Sequence, residues 1–221
     1  MTDVGANLTE VRERIAAAAR AAGRGAGQVT LVAVSKEVDA DAVAAAGAAG
    51  QRDFGENRAQ ELIAKAGQLD ARGTTVTWHF IGRLQRNKVK AIAPLVALWH
   101  SVDRIEIGEA VARHAPGARV LVQVNVAGED RKGGCRPVEL AALVDRFATL
   151  GLGVEGLMTV PPLMGDPRPH FAALRELATR LGVTTLSMGM SGDFEAAIAE
   201  GSTLVRVGRA VFGSRPDAML A

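Results

Sequence analysis

A (β/α)8 barrel of the TIM type, α/β in class and preceded by one extra N-terminal helix, is the fold this sequence predicts. Three observations predict it. Short β-branched or apolar runs alternate with Ala- and Leu-rich helical stretches eight times after one leading helix. Strict alternation of this kind implies parallel strands. No Pro/Gly/Ser-rich linker interrupts the rhythm across 221 residues, slightly fewer than the ~250 typical of such barrels, so residues 1–221 are expected to form one domain. An open, doubly wound eight-stranded sheet is the alternative.

The leading helix is expected over residues 7–22, where Leu8, Val11 and Ile15 recur at helical spacing. Asn7 or Thr9 would cap it, and Gly23, Gly25 and Gly27 end it. Strands are expected over 30–35, 53–54, 77–81, 97–101, 119–126, 154–159, 184–188 and 204–207. Helices are expected between them over 41–49, 58–66, 86–93, 104–114, 138–150, 169–181 and 193–199, with a short helical stretch at 209–212. The densest breaker cluster, 161–169, is one βα loop.

Composition narrows the function. Hydrophobic residues make up 48% and charged residues 23%, which is globular rather than disordered. The sequence has no tyrosine, so mechanisms that use a phenol as acid, base or nucleophile are excluded. One cysteine, Cys135, rules out an internal disulfide and a Cys-only metal site. A net charge of +2 is a near-balance of 26 basic and 24 acidic residues, which argues against a nucleic-acid partner. With no apolar run of membrane-spanning length and no secretory signal pattern, a cytoplasmic location is expected.

In such a barrel the chemistry collects at the C-terminal ends of the strands. Lys36 follows the apolar run 31–35. Partial desolvation there disfavours the ammonium, as a Schiff-base lysine requires, whereas the bland reading is a lysine snorkelling to solvent. The segment 187–192 and the Gly208 turn each lead into a helix, after the seventh and eighth strands, where barrels commonly hold phosphate. Ordinary helix-capping turns are the competing reading. Arg206 interrupts the apolar strand 204–207: pointing inward it is a buried cation that needs a partner, pointing outward it pairs on the surface.

Other candidates read more plainly. His79, His100, His114 and His170 show no metal-ligand spacing and are expected to be satisfied core or surface groups. Arg83, Arg86, Lys88 and Lys90 read as a solvated helix face. Met188 and Met190 are expected to pack around the turn, with Met188 a candidate to line a ligand ring. Cys135 is expected to be an exposed spectator thiol in a loop.

Taken in order, the segments 33–36 (AVSK), 54–57 (FGEN), 78–82 (WHFIG), 84–88 (LQRNK), 156–159 (GLMT), 186–191 (LSMGMS), 205–208 (VRVG) and 212–213 (FG) resemble the motifs of the pyridoxal phosphate homeostasis proteins. These are single-domain relatives of the alanine racemase N-terminal barrel. The resemblance implies pyridoxal 5′-phosphate held as an internal aldimine on Lys36. It implies phosphate contacts from Ser191 and the backbone of Gly208 and Arg209, Arg206 facing the pyridine nitrogen, and Asn57 near the ring. Relatives often carry Thr at position 209 and Tyr at position 58, where this chain has Arg209 and Arg58.

The resemblance also implies a carrier rather than a catalyst. An arginine beside the pyridine nitrogen keeps it unprotonated and makes the ring a poor electron sink. Racemisation needs a second base, and this chain has neither the tyrosine nor the second domain that supplies it in alanine racemases. The expected protein is a monomeric, cytoplasmic carrier that buffers the cofactor or delivers it to pyridoxal phosphate-dependent apoenzymes. A weak racemase or lyase is the alternative, and an RNA- or partner-binding barrel acting through the 83–90 face is a third reading.

Overall fold

The computed structural model describes residues 3–129 and 132–213. Eight parallel strands, β1 (Thr30–Val34), β2 (Asp53–Glu56), β3 (Thr77–Phe80), β4 (Val96–Val102), β5 (Arg119–Gln123), β6 (Gly153–Met158), β7 (Thr185–Ser187) and β8 (Leu204–Val207), follow one another in sequence order around a closed barrel. β8 pairs with β1 in parallel, Ala33 opposite Val207, and closes the ring. The barrel is therefore observed and the open-sheet alternative is not.

Helices α1 (Val4–Ala21), α2 (Ala40–Ala48), α3 (Ala59–Asp70), α4 (Arg86–Ile92), α5 (Ile105–His114), α6 (Leu140–Thr149), α7 (Arg168–Leu181), α8 (Phe194–Ala199) and α9 (Arg209–Phe212) surround it. None of the described helices is long and apolar enough to cross a membrane. α1 starts earlier than the sequence suggests. Asp3 caps it by accepting from the Ala6 N–H at 2.9 Å. Of the two expected caps, Asn7 instead donates to the Val211 carbonyl and Thr9 to the Gly5 carbonyl. β5 stops at Gln123 because Val124 pairs with Cys135 in a returning loop.

Period-two alternation divides the side chains into two layers. Phe54, Trp78, Phe80, Val120, Val122, Leu157, Leu186, Val205 and Val207 face outward into the larger apolar core beneath the helices. Val32, Leu98, Leu121, Met158 and Leu204 form a small apolar cluster inside the ring. The same alternation brings Asp53, His79, His100, Ser187 and Arg206 to the interior as well. Hence the interior is half apolar and half polar.

α1 is part of this core rather than an appendage. Leu8, Val11 and Ile15 are buried, Arg14 pairs with Glu195 of α8, and its guanidinium lies 4.7 Å from the Phe194 ring centroid. Leu8→Ala is therefore expected to cost about 2–5 kcal/mol of unfolding free energy, read as a shift of the chemical-denaturation midpoint at unchanged slope.

Candidate functional site

The C-terminal mouth is assembled from the ends of β1, β2, β6, β7 and β8. Lys36 lies two residues past β1, in a tight turn closed by the Val38 N–H donating to the Ser35 carbonyl at 3.0 Å. Glu37 takes φ +60°, the positive value that such a turn requires at its third position and that a non-glycine residue adopts only when held there. Its holders come from α3. The Glu37 N–H donates to Glu61 Oε2 at 2.8 Å, and the Lys65 ammonium donates to the Ser35 carbonyl and, at 2.7 Å, to Glu56 Oε1. Arg58 bridges Glu37 and Glu61. Lys36 itself is half-buried and has no ion-pair partner among the described residues.

Glu56 faces outward under α3 with no exposure to solvent. Its desolvation raises its pKa, against hydrogen bonds from Lys65 and Ser35 that favour the carboxylate. The sequence did not mark Glu56 or Lys65 as site-forming. The signal available was the i,i+4 spacing of Glu61 and Lys65 on a helix that follows the lysine turn.

Asn57 follows β2 at the same rim. Continuing the β1–β2 register, Val34 opposite Gly55, sets Asn57 level with Lys36. A Cβ on Gly82 would come within 2.1 Å of the Asn57 carbonyl oxygen, so only glycine lets the ends of β2 and β3 approach this closely. Asn57 Oδ1 is buried and has no hydrogen-bond partner among the described residues, an unsatisfied acceptor of the kind a bound ligand completes.

Arg206 points inward and is 4% exposed. It donates from Nη1 to Ser187 Oγ at 2.6 Å and from Nη2 to the Thr159 carbonyl at 2.8 Å. Burial lowers its pKa to about 10, opposed by the Asp193 carboxylate, so the guanidinium stays charged near neutrality. Two of its five N–H groups have these acceptors.

The β7–α8 loop turns at Gly189, φ +94°, where a Cβ would lie 2.6 Å from that of Ala197. The Gly189 carbonyl accepts from the Arg206 N–H at 3.0 Å, which ties this loop to β8. Ser191 is half-buried beyond the turn. Gly208 begins the α9 turn, where a Cβ would meet the Val34 carbonyl oxygen at 3.2 Å. Arg209 is exposed at the rim. Met188 is fully buried in the outer apolar layer, where it packs rather than facing the mouth. The structure thus brings Lys36, Asn57, Ser191, Arg206, Gly208 and Arg209 to one end of the barrel and leaves Met188 behind it.

Two further expectations are decided. Arg83, Arg86 and Lys90 are exposed, as a solvated face requires, and Lys88 is half-buried. Cys135 is not exposed: it is 6% accessible, and burial, with Glu139 and Asp103 nearby, pushes its thiol up to about 12. The returning loop that pairs with Val124 carries it inward, a tertiary contact that its Gly-rich flanks conceal. His79 and His100 are satisfied core histidines, as expected; what the sequence did not show is that they meet Asp53 and Ser187 inside the ring. His79 Nδ1 lies 2.8 Å from His100 Nε2, and His100 Nδ1 lies 2.8 Å from Ser187 Oγ. No group of three His, Cys, Asp or Glu suited to a metal occurs among the described residues.

A closed ring of eight parallel strands, each followed by a helix, is a (β/α)8 barrel, and the lysine turn, the unsatisfied amide and the buried cation lie towards the C-terminal end of its strands, where barrels of this class place their sites. The family described as alanine racemase, N-terminal domain, matches residues 6–216, and the chain belongs to that family. It is 46% identical to the pyridoxal phosphate homeostasis protein of Pseudomonas aeruginosa, with 97% of each chain covered. To the protein of that name from Escherichia coli K12 it is 40% identical, with 97% of this chain and 98% of the other covered. PipY of Synechococcus elongatus PCC7942, solved with PLP bound, is similar at TM-score 0.83 and 34% identity, over 95% of this chain and 100% of that one. An alanine racemase from Corynebacterium glutamicum shares the fold, at TM-score 0.66 and 19% identity, over 96% of this chain and 62% of that one.

Two stability predictions follow from the buried charges. Lys65→Met strands Glu56 without its ion-pair partner and is expected to cost about 3–5 kcal/mol by denaturant titration. His100 is fully buried, and desolvation, with His79 and Arg206 adding to it, holds its pKa well below 6.5. Unfolding releases His100 to its ordinary value, so the unfolded state binds the extra proton first. Its contribution is intact above about pH 6.5 and is lost as pH falls towards the folded value, at up to about 1.4 kcal/mol per pH unit. Urea midpoints measured against pH should fall less steeply for His100→Gln than for the unsubstituted protein.

Proposed function

We propose that the protein binds pyridoxal 5′-phosphate at the C-terminal mouth of the barrel and serves intracellular pyridoxal phosphate homeostasis as a cytoplasmic, monomeric carrier. The observation that carries this reading is the Arg206 guanidinium, buried and charged, with donors left over at the rim that bears Lys36. The orphaned Asn57 Oδ1 supports the fit of a polar ring beside it. The relatives' names and PLP-bound PipY agree with that assignment.

When bound, the cofactor would supply an aldehyde for reversible carbonyl–amine chemistry, and Lys36 would be the amine that holds it. The residues of the chain hold it there. Ser191 and the backbone N–H groups of Gly208 and Arg209 would receive the phosphate, and the exposed Arg209 guanidinium adds positive charge at that rim. Arg206 would face the ring nitrogen, Asn57 would lie beside the ring, and Met188 would support the loop from below. α3 orients Lys36 through the Ser35–Val38 turn.

The protein carries rather than turns over. A cation at the ring nitrogen keeps that atom unprotonated and weakens the electron sink on which amino-acid chemistry depends. Lys36 is the evident base at the mouth, and no tyrosine is available as a second. Pyridoxal phosphate-dependent apoenzymes are the proposed recipients.

Incubation with pyridoxal phosphate is expected to give a visible absorbance band that borohydride traps. Peptide mapping of the trapped adduct should place it on Lys36, and Lys36→Ala should lose it. Incubation of the loaded protein with L-alanine or L-serine should give no turnover approaching ~1 s⁻¹. An adduct on another lysine refutes the site, and turnover at that rate refutes the carrier assignment.

A further inference from the structure

The interior holds a line of polar groups that a ligand at the mouth does not by itself explain. Asp53 Oδ1 lies 3.0 Å from His79 Nε2, and the contacts continue through His100 and Ser187 to Arg206 Nη1. The line crosses β2, β3, β4, β7 and β8. Its lower end opens on a cavity of about 280 Å³ at the N-terminal ends of the strands, lined by Asp53 and His79 among others. Its upper end is the cation at the mouth.

The two ends fix the direction of every bond between them. Arg206 only donates, so Ser187 Oγ accepts from it. The Asp53 carboxylate only accepts, so His79 Nε2 carries a hydrogen. A neutral imidazole has one N–H, which leaves His79 Nδ1 as acceptor and His100 Nε2 as donor. His100 Nδ1 then accepts the Ser187 hydroxyl hydrogen. With both histidines neutral, one arrangement satisfies all four contacts, and it runs from Arg206 down to Asp53.

We propose that Asp53, His79, His100 and Ser187 are positioning residues for Arg206, a one-way hydrogen-bond chain that fixes the guanidinium and reports the protonation of His79 to it. If His79 takes a second proton from the floor cavity, its Nδ1 becomes a donor. His100 must then accept at Nε2 and donate from Nδ1 to Ser187 Oγ, whose own hydrogen is displaced from this line. The groups that face His79 and its cavity are Asp53 on β2, His100 on β4, and the Arg119–Glu155 pair on β5 and β6. Arg206 on β8 closes the far end, with Asp193 acting on it from the β7–α8 loop. The consequence for a bound ring nitrogen rests on the function proposed above, whereas the order of the hydrogens does not.

Long-range proton–nitrogen correlation spectra of the ligand-free protein, labelled at histidine nitrogens, test the chain. Near neutral pH both His79 and His100 are expected as Nε2–H tautomers. On acidification His100 should switch to the Nδ1–H tautomer with the same midpoint at which His79 becomes doubly protonated. Asp53→Asn replaces an acceptor-only group with an amide that can also donate to His79 Nε2, which reverses the line, so His100 should then populate Nδ1–H near neutrality. A wild-type His100 already in the Nδ1–H form, or one that does not follow His79, overturns the proposal.

Absorbance of the pyridoxal phosphate-loaded protein reads the upper end. The band should shift across that same midpoint, and Ser187→Ala should abolish the shift while the borohydride-trapped adduct persists. A band that ignores the midpoint in the wild type overturns the link to Arg206. No trapped adduct at Lys36, with the tautomers as expected, overturns the proposed function and leaves the chain standing.

Discussion

A charged guanidinium enclosed by the barrel wall is the constraint around which this interior is arranged. Taking Arg206 out of water costs several kcal/mol unless its donors find acceptors. Ser187 and the Thr159 carbonyl supply two of them. Ser187 in turn needs somewhere to send its hydrogen, which brings in His100, then His79, and finally Asp53 at the floor. A purely apolar interior would pack at least as stably. The polar half is retained beside Val32, Leu98, Leu121, Met158 and Leu204, so it is a feature of the site more than of the fold.

The second organising element is α3. A helix outside the barrel reaches the mouth by propping a backbone turn, and its Lys65 and Glu61 act on the carbonyl of Ser35 and the amide of Glu37. Lys36 is thereby held on both sides. The chain direction is set by the positive φ of Glu37, and the turn is anchored by an ion pair in which Glu56 has no exposure to water. Interactions of this kind, made from a helix outside the barrel to the backbone on either side of Lys36, set where its amine stands.

Most of the architecture was legible because a parallel barrel repeats one signal. Each strand is a short apolar run and each helix an amphipathic one, and all eight strands fall where the runs lie. β2 was the least visible: Gly55 and Glu56 do not look like strand residues until Lys65 neutralises the carboxylate from α3. Lys36 and Arg206 were legible for the opposite reason, as charges that break apolar runs. The histidine line was not, since period-two alternation shows that His79, His100 and Ser187 share a face but not that their strands bring them into contact. Ring closure and strand register decide that. Cys135 misled because local Gly-rich sequence describes a loop, whereas burial depends on the edge the loop returns to.

The burial of Cys135 suits the proposed cargo. Sulfhydryl anions add to aldehydes to give hemithioacetals, and a loose one near the rim would compete with the primary amine intended to hold the carbonyl. With its thiol pushed up to about 12 and walled in beside Val124, the only thiol of the chain stays protonated and out of reach. A carrier of an aldehyde, as proposed above, would thereby be shielded from its own sulfur, and a buried thiol is also shielded from mixed-disulfide exchange with cellular thiols.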